Sequence, residues 1–259
     1  MENWNNQKVD TLVSEGGVIA LANPFDNLVS SGVLPWPPSE IVQKLYQSRQ
    51  SRAFSECERE KLDKFNGYYS DLQSINSEDA ITWSVFGTVA HAPNNTRNPF
   101  VYDLLESIGC KTERIQYSEM YLWRRIPHPD TLVPGGPEID FGITTDKILI
   151  LGEAKWKSAI GVSQGKKKDK DQIQLRMEFL QNYAPKLYPN IEQFIVLGVG
   201  LHNNVCENIS IDSVRYISTT WEKVCQLESH PNHQELLRYL NWKKSNAKKQ
   251  IPMPISGSK

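Results

Sequence analysis

The chain has 259 residues, long enough for one large domain or one domain with an elaboration, and its 39% hydrophobic and 23% charged residues are ordinary for a soluble globular protein. The formal net charge of −1 means that any affinity for nucleic acid must come from local basic patches. No apolar run approaches the roughly 20 residues of a membrane helix and the start lacks a secretory pattern, so we expect a cytoplasmic protein without membrane contact.

The first part of the chain is predicted to be helical. Residues 1 to about 37 are turn-rich and are interpreted as an arm or cap. Helices are then predicted from Ser39, from Ser55, from Ser77 and from Asn98, the last one ending at Gly109. Apolar residues recur at helical spacing in each of them. We therefore divide the chain into an N-terminal arm with a helical elaboration (1–76), a main domain (77–245) and a polar tail (246–259).

The hydrophobic period changes after residue 112. Residues 113–126 are rich in strand formers, and EIDFGIT and KILILGEAKW are predicted as two strands joined by a turn at residues 144–147. A basic loop, GKKKDKD, leads into a long helix, DQIQLRMEFLQNYA. IEQFIVLGVG is apolar on both faces, as in a central strand with a parallel neighbour. SVRYIS is a further strand, followed by a helix capped by Thr219 and Glu222 and by the last helix, HQELLRYLNW. The order predicts a mixed α/β sandwich.

Two charged residues end the most apolar strand of the chain, and they carry the functional prediction. Residues two apart in a strand share a face, so Glu153 and Lys155 should project together with Leu149 and Leu151. The preceding hairpin should bring Asp140 across from about residues 151–153. Charges against a buried strand cost several kcal/mol unless they are paired or bind metal.

These groups suit phosphate chemistry at a metal ion. Two carboxylates, Asp140 and Glu153, and the backbone carbonyl of Ala154 are oxygen ligands of the kind that hard divalent cations prefer. Lys155 beside the ion can orient a water molecule and stabilise negative charge as phosphate is attacked. The sequence therefore predicts that these side chains converge on one cleft.

Asp140, followed after twelve intervening positions by Glu153-Ala154-Lys155 at the end of an apolar strand, resembles the motif of the PD-(D/E)XK nuclease superfamily. SEDAITWSVF is similar to the helix that this family carries ahead of the strands, with Glu78 as its additional acid. The resemblance covers about residues 77–228. It implies a restriction-endonuclease-like α/β fold, in which a mixed sheet (αβββαβ core) is flanked by helices.

The resemblance also implies an activity, Mg²⁺-dependent hydrolysis of DNA phosphodiester bonds, with Mn²⁺ as a substitute cofactor. Asp140, Glu153 and the Ala154 carbonyl would bind the metal, and Lys155 would handle the attacking water or the developing charge. Glu78 would assist, unless it only complements the dipole of its helix. Glu138 shares the face of Asp140 and is an alternative ligand.

Basic and amide side chains after the catalytic strand are candidate DNA contacts: Lys166, Lys167, Lys168, Lys170, Gln172, Gln174 and Arg176. The lysines form either a solvated loop or a set of phosphate contacts, and we expect residues 165–170 to be mobile and to flank the cleft. Gln172 and Arg176 match a helix in which the family often has a functional glutamine or basic residue. They are otherwise a surface pair one turn apart.

The remaining candidates receive a structural interpretation. The four cysteines are widely scattered and should be reduced thiols, without a zinc ribbon. His230 and His233 stand across a Pro-Asn turn and are interpreted as structural. Lys243, Lys244, Lys248 and Lys249 are interpreted as a solvated tail.

Three alternatives remain open at the level of function. The protein could act on RNA or branched DNA, or serve as the cleavage subunit of a larger complex. It could instead be a non-catalytic nucleic-acid-binding module of the same fold. The N-terminal helices could read DNA, form a homodimer or bind a partner.

Overall fold

The structure, a computed structural model, describes residues 1–13, 17–47, 70–158, 160–161, 163–206, 210–211 and 213–247. The N-terminal arm contains a small antiparallel sheet of β1 (Thr11–Val13) and β2 (Ile19–Leu21), followed by helix α1 (Ser39–Gln47). The sequence does not predict β1 and β2, because three residues are too few to show an alternating pattern. The helix predicted from Ser55 lies outside the described residues.

Two helices lie between the N-terminal arm and the main sheet along the chain. Helix α2 consists of consecutive α-helical (Glu78–Thr82), π-helical (Trp83–Gly87) and α-helical (Thr88–Ala90) turns, and it begins after its N-cap Ser77, as predicted. Helix α3 (Asn94–Ser107) begins four residues earlier than predicted and contains Pro99. Asn98 is not its cap: the side chain instead donates to the Gln116 carbonyl at 2.8 Å and accepts from Ser118 Oγ at 2.6 Å.

Six strands form one mixed sheet: β3 (Ser118–Leu122), β4 (Phe141–Thr145), β5 (Ile148–Ala154), β6 (Gln193–Gly200), β7 (Ser210–Ile211) and β8 (Val214–Thr220). Their spatial order is β3-β4-β5-β6-β8-β7. The first three form an antiparallel meander, β5 pairs with β6 and β6 with β8 in parallel, and β7 is an antiparallel edge. The prediction of a mixed α/β protein with IEQFIVLGVG as a central strand is confirmed.

Four further helices connect and cover these strands: α4 (Gln172–Asn182), α5 (Ala184–Leu187), α6 (Trp221–Cys225) and α7 (His233–Asn246). The N-cap of α6 is Thr220, the last residue of β8, whose hydroxyl accepts from the Lys223 N–H at 3.2 Å; the predicted cap, Thr219, lies one residue too early. Nowhere in the described ranges is a helix both long and apolar enough to cross a membrane.

Strand β5 is buried on both faces, and its alternation separates two cores as predicted. Ile148 and Ile150 join the cluster that contains residues of α2, α3 and α7, whereas Leu149 and Leu151 join a second cluster with α4. The first cluster also includes Ile41 of α1. The N-terminal segment therefore packs on the same core as the sheet, and this brings α1 close to the end of β5.

Candidate active site

Asp140 and Glu153 are brought together by the pairing of β4 with β5. Phe141 lies opposite Gly152, so continuation of the same antiparallel register sets Asp140 opposite Glu153. The Asp140 N–H donates to the Gly152 carbonyl at 3.3 Å, and its carboxylate accepts from the Ala154 N–H at 2.7 Å. Within a strand the N–H and C=O of one residue point to the same side, so the Ala154 carbonyl also faces Asp140. The two acids and the carbonyl thus adjoin, as the hairpin predicts.

Glu153 is completely buried and lies between two cations. One carboxylate oxygen is 2.6 Å from Lys155 Nζ, and the other contacts the Arg176 guanidinium. Burial, followed by the negative charge of Asp140, raises the pKa of Glu153 to about 7, although Arg176 and Lys155 both favour its ionised form. The site therefore holds two carboxylates whose mutual repulsion is only partly compensated.

Lys155 connects β5 to the start of α2. Burial would lower the pKa of its ammonium, but the adjacent Glu153 and Glu78 carboxylates outweigh burial and raise it. Glu78 Oε1 is 3.1 Å from Lys155 Nζ, and Glu78 Oε2 accepts from the Trp156 N–H at 2.9 Å and from Ser158 Oγ at 2.6 Å. Glu78 thus reaches the cleft, where it holds Lys155 and the segment that follows β5.

A second group of charges forms around Lys44, a residue of the N-terminal arm, and the sequence pattern does not reveal it. Lys44 of α1 has its ammonium 2.8 Å from Glu138 and 3.3 Å from Asp79, and 4.8 Å from the centre of the Trp123 ring. Burial would lower the pKa of Lys44, but Asp79 and Glu138 raise it. The pKa of Asp79 rises to about 6, chiefly through burial and against the attraction of Lys44. The carboxylate of Glu138, the alternative metal ligand, is therefore paired with Lys44.

Arg176 occupies a different position from the one expected of a DNA contact. Its side chain is fully buried, and its guanidinium donates to the carbonyls of Gln172 at 2.8 Å and Glu138 at 3.1 Å besides contacting Glu153. A phosphate could reach it only if this network opened, because no part of the side chain meets solvent. The expected role as a phosphate contact is corrected to that of a buried partner of Glu153.

The neighbouring glutamines are also engaged within the protein. Gln172 accepts from the Gly161 N–H at 3.1 Å through its side-chain oxygen. Gln174 forms a capping box with Asp171, in which each side chain accepts from the other residue's N–H, at 2.9 and 2.7 Å. Both side chains therefore organise the start of α4, and their expected role as nucleic-acid contacts stays a prediction.

The basic loop is tied to the protein at its last lysine. Lys170 contacts Asp130 and lies 2.8 Å from Glu178, and these hydrogen bonds raise the pKa of its ammonium despite its exposure. Gln164 and Lys170 also exchange backbone hydrogen bonds at 2.7 and 3.2 Å. Lys170 is consequently an anchor of the loop. Lys166, Lys167 and Lys168 form its turn, and their role as phosphate contacts stays a prediction.

Lys243 and His230 are both buried, which agrees with the structural role expected of the histidine but not with the solvated tail expected of the lysine. Lys243 is not part of a solvated tail: it is fully buried, donates to the Ile75 carbonyl at 2.5 Å and lies 5.1 Å from the Trp156 ring centre, and burial lowers its pKa well below the usual value. His230 is buried between the Val85 carbonyl at 2.8 Å and the Asn232 N–H at 2.9 Å. Cys110, Cys206 and Cys225 are free thiols. The structural interpretation of the histidine and the cysteines agrees with these contacts.

Comparison of the chain with protein-family models, with curated proteins and with solved structures gives no match. In the part of the chain that the structure describes, no three His, Cys, Asp or Glu side chains form a group that could hold a metal by themselves. What this site can do must therefore be inferred from its own contacts and charges.

Proposed function

We propose that this protein is a Mg²⁺-dependent endonuclease that hydrolyses DNA phosphodiester bonds and has a restriction-endonuclease-like fold of the PD-(D/E)XK type. The observation that carries the proposal is the convergence of Asp140, Glu153 and Lys155 at the end of β5. Asp140 immediately precedes Phe141, which pairs with Gly152, and its carboxylate accepts from the Ala154 N–H at 2.7 Å; Lys155 Nζ lies 2.6 Å from the Glu153 carboxylate. Such a group of charges, at the end of a strand buried on both faces, is typical of a catalytic site.

The order of elements supports the same proposal. Helix α2 precedes the antiparallel meander β3-β4-β5, and helix α4 then crosses to β6, which is parallel to β5. This is the αβββαβ order that the resemblance implies. Glu78 at the start of α2 contacts Lys155, so the element expected to carry an additional acid does reach the site.

The donors present fit a hard divalent cation. Asp140, Glu153 and the Ala154 carbonyl would hold it together with water, since such cations accept one or two carboxylates and keep several waters. Glu153 would exchange part of its contact with Lys155 for the cation. When bound, Mg²⁺ would supply a Lewis acid that lowers the pKa of a bound water and neutralises phosphate charge.

The chain's own residues would perform the remaining tasks. Lys155, held by Glu78, would place a fixed positive charge beside the phosphate oxygens as a water oxygen bonds to phosphorus and a sugar oxygen leaves. Arg176 would keep Glu153 ionised and oriented from inside the protein. Catalysis would therefore depend on a charge arrangement preformed by β4, β5, α2 and α4.

A second candidate function is a non-catalytic nucleic-acid-binding module of the same fold. The burial of Glu153 between two cations favours it, because a carboxylate with a cation at each oxygen can stabilise the sheet without binding a metal ion. In that case the basic loop would bind the nucleic-acid strand, and Lys155 would remain a structural partner of Glu153. This candidate predicts DNA binding without cleavage.

Nicking of supercoiled plasmid DNA, in EDTA and with Mg²⁺ or Mn²⁺, separates the two candidates. The parent protein should cleave only with metal, and Glu153→Ala and Lys155→Ala should each lower the rate by at least about a hundredfold. Titration of Mn²⁺ should show weaker binding to Glu153→Ala, which loses an oxygen ligand. Lys155→Ala should bind Mn²⁺ at least as tightly as the parent, because a like charge is removed.

Lys147→Ala is the matched control. Lys147 lies in the turn between β4 and β5, at the end of the hairpin opposite the proposed site, and forms an exposed ion pair with Glu192, so its loss should leave both cleavage and metal binding unchanged. Cleavage at the parent rate by Lys155→Ala would refute the assigned role. DNA binding without cleavage under every metal condition would establish the non-catalytic module, and parallel assays with RNA and branched DNA would identify another substrate.

A further inference from the structure

A pocket adjoins the proposed active site next to Lys155, Trp156 and Ser158, the residues that Glu78 contacts. It has a volume of about 560 Å³ and lies where β5 and β6 end, between Lys155 and the loop after Gly200. The carboxyl ends of parallel strands are the usual position of ligand sites in α/β sheets. The volume falls within the range of roughly 300–1,000 Å³ typical of small-molecule sites. Lys155 lines both the pocket and the proposed site, so a ligand could occupy the two at once.

The charge of the pocket is opposite to that of the site beside it. Its lining includes Lys155, Lys157, Lys244 and His202, and none of the described residues that line it is an acid. Lys244 does pair with Glu222 at 2.8 Å, but that pair is exposed and contributes little. The pocket therefore favours an anion, whereas the neighbouring carboxylates favour a cation.

Part of the pocket wall is apolar, although Asn204 and Ser158 also line it. Val205 is buried, and Leu201 and Ala247 pack partly against the main core. The Val205 side chain fits against Gly198 and Gly200, where an added Cβ would come within 2.7 and 2.6 Å of it. Close packing of this kind keeps the wall in one place. A suitable ligand thus combines an anionic group at the lysine rim with a flat apolar group against this wall.

We propose that this pocket binds one nucleotide of the DNA strand, the one next to the scissile phosphate, with its phosphate at Lys244 and His202 and its base against Val205. The proposal rests on the proposed nuclease function for the identity of the strand, but the pocket's charge and shape stand apart from it. Because a base must leave its stack to enter, a single-stranded or unpaired nucleotide is the form that fits. Extruding a paired base would cost a few kcal/mol.

Direct binding in EDTA tests the pocket independently of cleavage. The probes are 5′-dAMP, deoxyadenosine, inorganic phosphate, and a short single-stranded oligonucleotide that contains 2-aminopurine. The parent protein should bind 5′-dAMP at least tenfold more tightly than either deoxyadenosine or phosphate, since only the nucleotide uses both parts of the pocket. The 2-aminopurine fluorescence should change when the oligonucleotide binds, because its base enters an apolar environment.

Two exposed rim residues provide the variants. Lys244→Glu and His202→Glu should each weaken 5′-dAMP binding by about tenfold, through loss of a contact to phosphate and gain of a negative charge. Lys223→Glu is the matched control for Lys244→Glu: it makes the same charge change at an exposed position outside the lining, and binding should stay within twofold. Thermal melting verifies that each variant is folded.

The outcomes distinguish the pocket from the nuclease. The protein could cleave DNA with metal but bind no 5′-dAMP, or all three variants could bind 5′-dAMP equally well. Either result would refute nucleotide binding in the pocket and leave the proposed nuclease function standing. Binding of 5′-dAMP that weakens as expected, in a protein that cleaves no DNA, would support the pocket and refute the nuclease. Binding of 5′-dAMP with no change in 2-aminopurine fluorescence would identify a free nucleotide as the occupant and overturn the assignment to a strand.

Discussion

Arg176 and Glu153 form an ion pair that lies wholly inside the protein, and this pair links α4 to the proposed site. Both side chains are fully buried, and the guanidinium also satisfies two backbone carbonyls. Removing charges from water costs several kcal/mol each, which is recovered only when the partners are well placed. The two buried charges therefore depend on each other, because loss of either one leaves the other without this partner.

Arg176→Met should accordingly lower the free energy of unfolding by about 3–5 kcal/mol, because it removes one of the two cations that contact the buried Glu153 carboxylate and leaves Lys155 to compensate it alone. The same change in a Glu153→Gln background should cost less by at least about 1 kcal/mol, since no charge then remains to be compensated. Urea denaturation of the four proteins of this cycle gives the coupling energy. Strictly additive costs would show that the two side chains do not depend on each other.

His230 is the buried group whose titration should be visible in stability. As neutral imidazole it can donate from Nε2 to the Val85 carbonyl and accept at Nδ1 from the Asn232 N–H, but a second ring proton would face that N–H. Burial is the main cause that lowers its pKa to about 4. The unfolded chain takes up a proton near pH 6.5, so stability is full above that pH and falls as the pH drops toward 4.

This loss should amount to at most about 3 kcal/mol, and His230→Gln should remove it. The difference in unfolding free energy between the parent and His230→Gln, measured at pH 7 and at pH 4.5, isolates the contribution. His233→Gln, three residues further along, retains His230 and should keep the parent's pH dependence. If parent and His230→Gln lost the same stability over this interval, the histidine would not be the titrating group.

At the scale of elements, the register of β4 on β5 positions the proposed site. Phe141 lies opposite Gly152 and stacks on Phe86 of α2 with ring centres 3.9 Å apart. This stack fills the space over Gly152, where an added Cβ would come within 2.2 Å of the Phe141 ring. The glycine thus permits the close approach of α2 to the sheet, and Asp140 and Glu153 are the next residues on the two strands.

Gly152→Ala should therefore lower the free energy of unfolding by about 1–3 kcal/mol, the usual cost of overpacking a core. It should also reduce any metal-dependent activity, because a displaced Phe141 moves the adjacent Asp140. Gly161→Ala is the control, since its Cβ would meet the ends of the flexible Gln164 and Gln172 side chains, at 3.3 and 3.4 Å, rather than an aromatic ring. Chemical denaturation compares the two variants, and equal stability would show that the Phe141 ring can move aside without cost.

At the scale of the whole molecule the net charge is only −1, so any attraction of nucleic acid must come from local groups of basic residues. Lys166, Lys167 and Lys168 are grouped in one turn, and Lys170 anchors that turn to Asp130 and Glu178. Affinity for a nucleic acid would then depend on such a patch and on salt, because bound phosphates release counterions. The anchor lysine and the three turn lysines should consequently respond differently to substitution.

Replacing Lys166, Lys167 and Lys168 together with alanine should weaken DNA binding and lower the slope of log K against log salt by up to roughly 3, nearly one for each lost phosphate contact. Mn²⁺ binding should not change. A triple alanine variant at the exposed lysines Lys147, Lys186 and Lys223 matches the change in charge and should affect the slope much less. Binding isotherms at several salt concentrations measure both, and an identical slope for the parent and the loop variant would contradict the assignment.

The sequence by itself determined the features that depend on local patterns. Alternation along β5 predicted its two buried faces, the apolar run of β6 predicted a central strand, and the hairpin length predicted that Asp140 would reach Glu153. These succeed because backbone geometry fixes which neighbours along a strand share a face. Single-residue signals were less reliable: Asn98 resembles a helix cap but is used in contacts to Gln116 and Ser118.

Only the tertiary structure decided the environment of each charge. Arg176 and Lys243 are of a residue type that is usually exposed on helices, yet both are buried. Lys44 contacts Asp79 and Glu138 from a distant part of the chain. No local pattern encodes such contacts, because burial and pairing depend on which elements pack together. The carboxylates and Lys155 could thus be found in the sequence, whereas the pairing of Arg176 with Glu153 and of Lys44 with Glu138 became visible only when α1, α4 and the sheet were assembled.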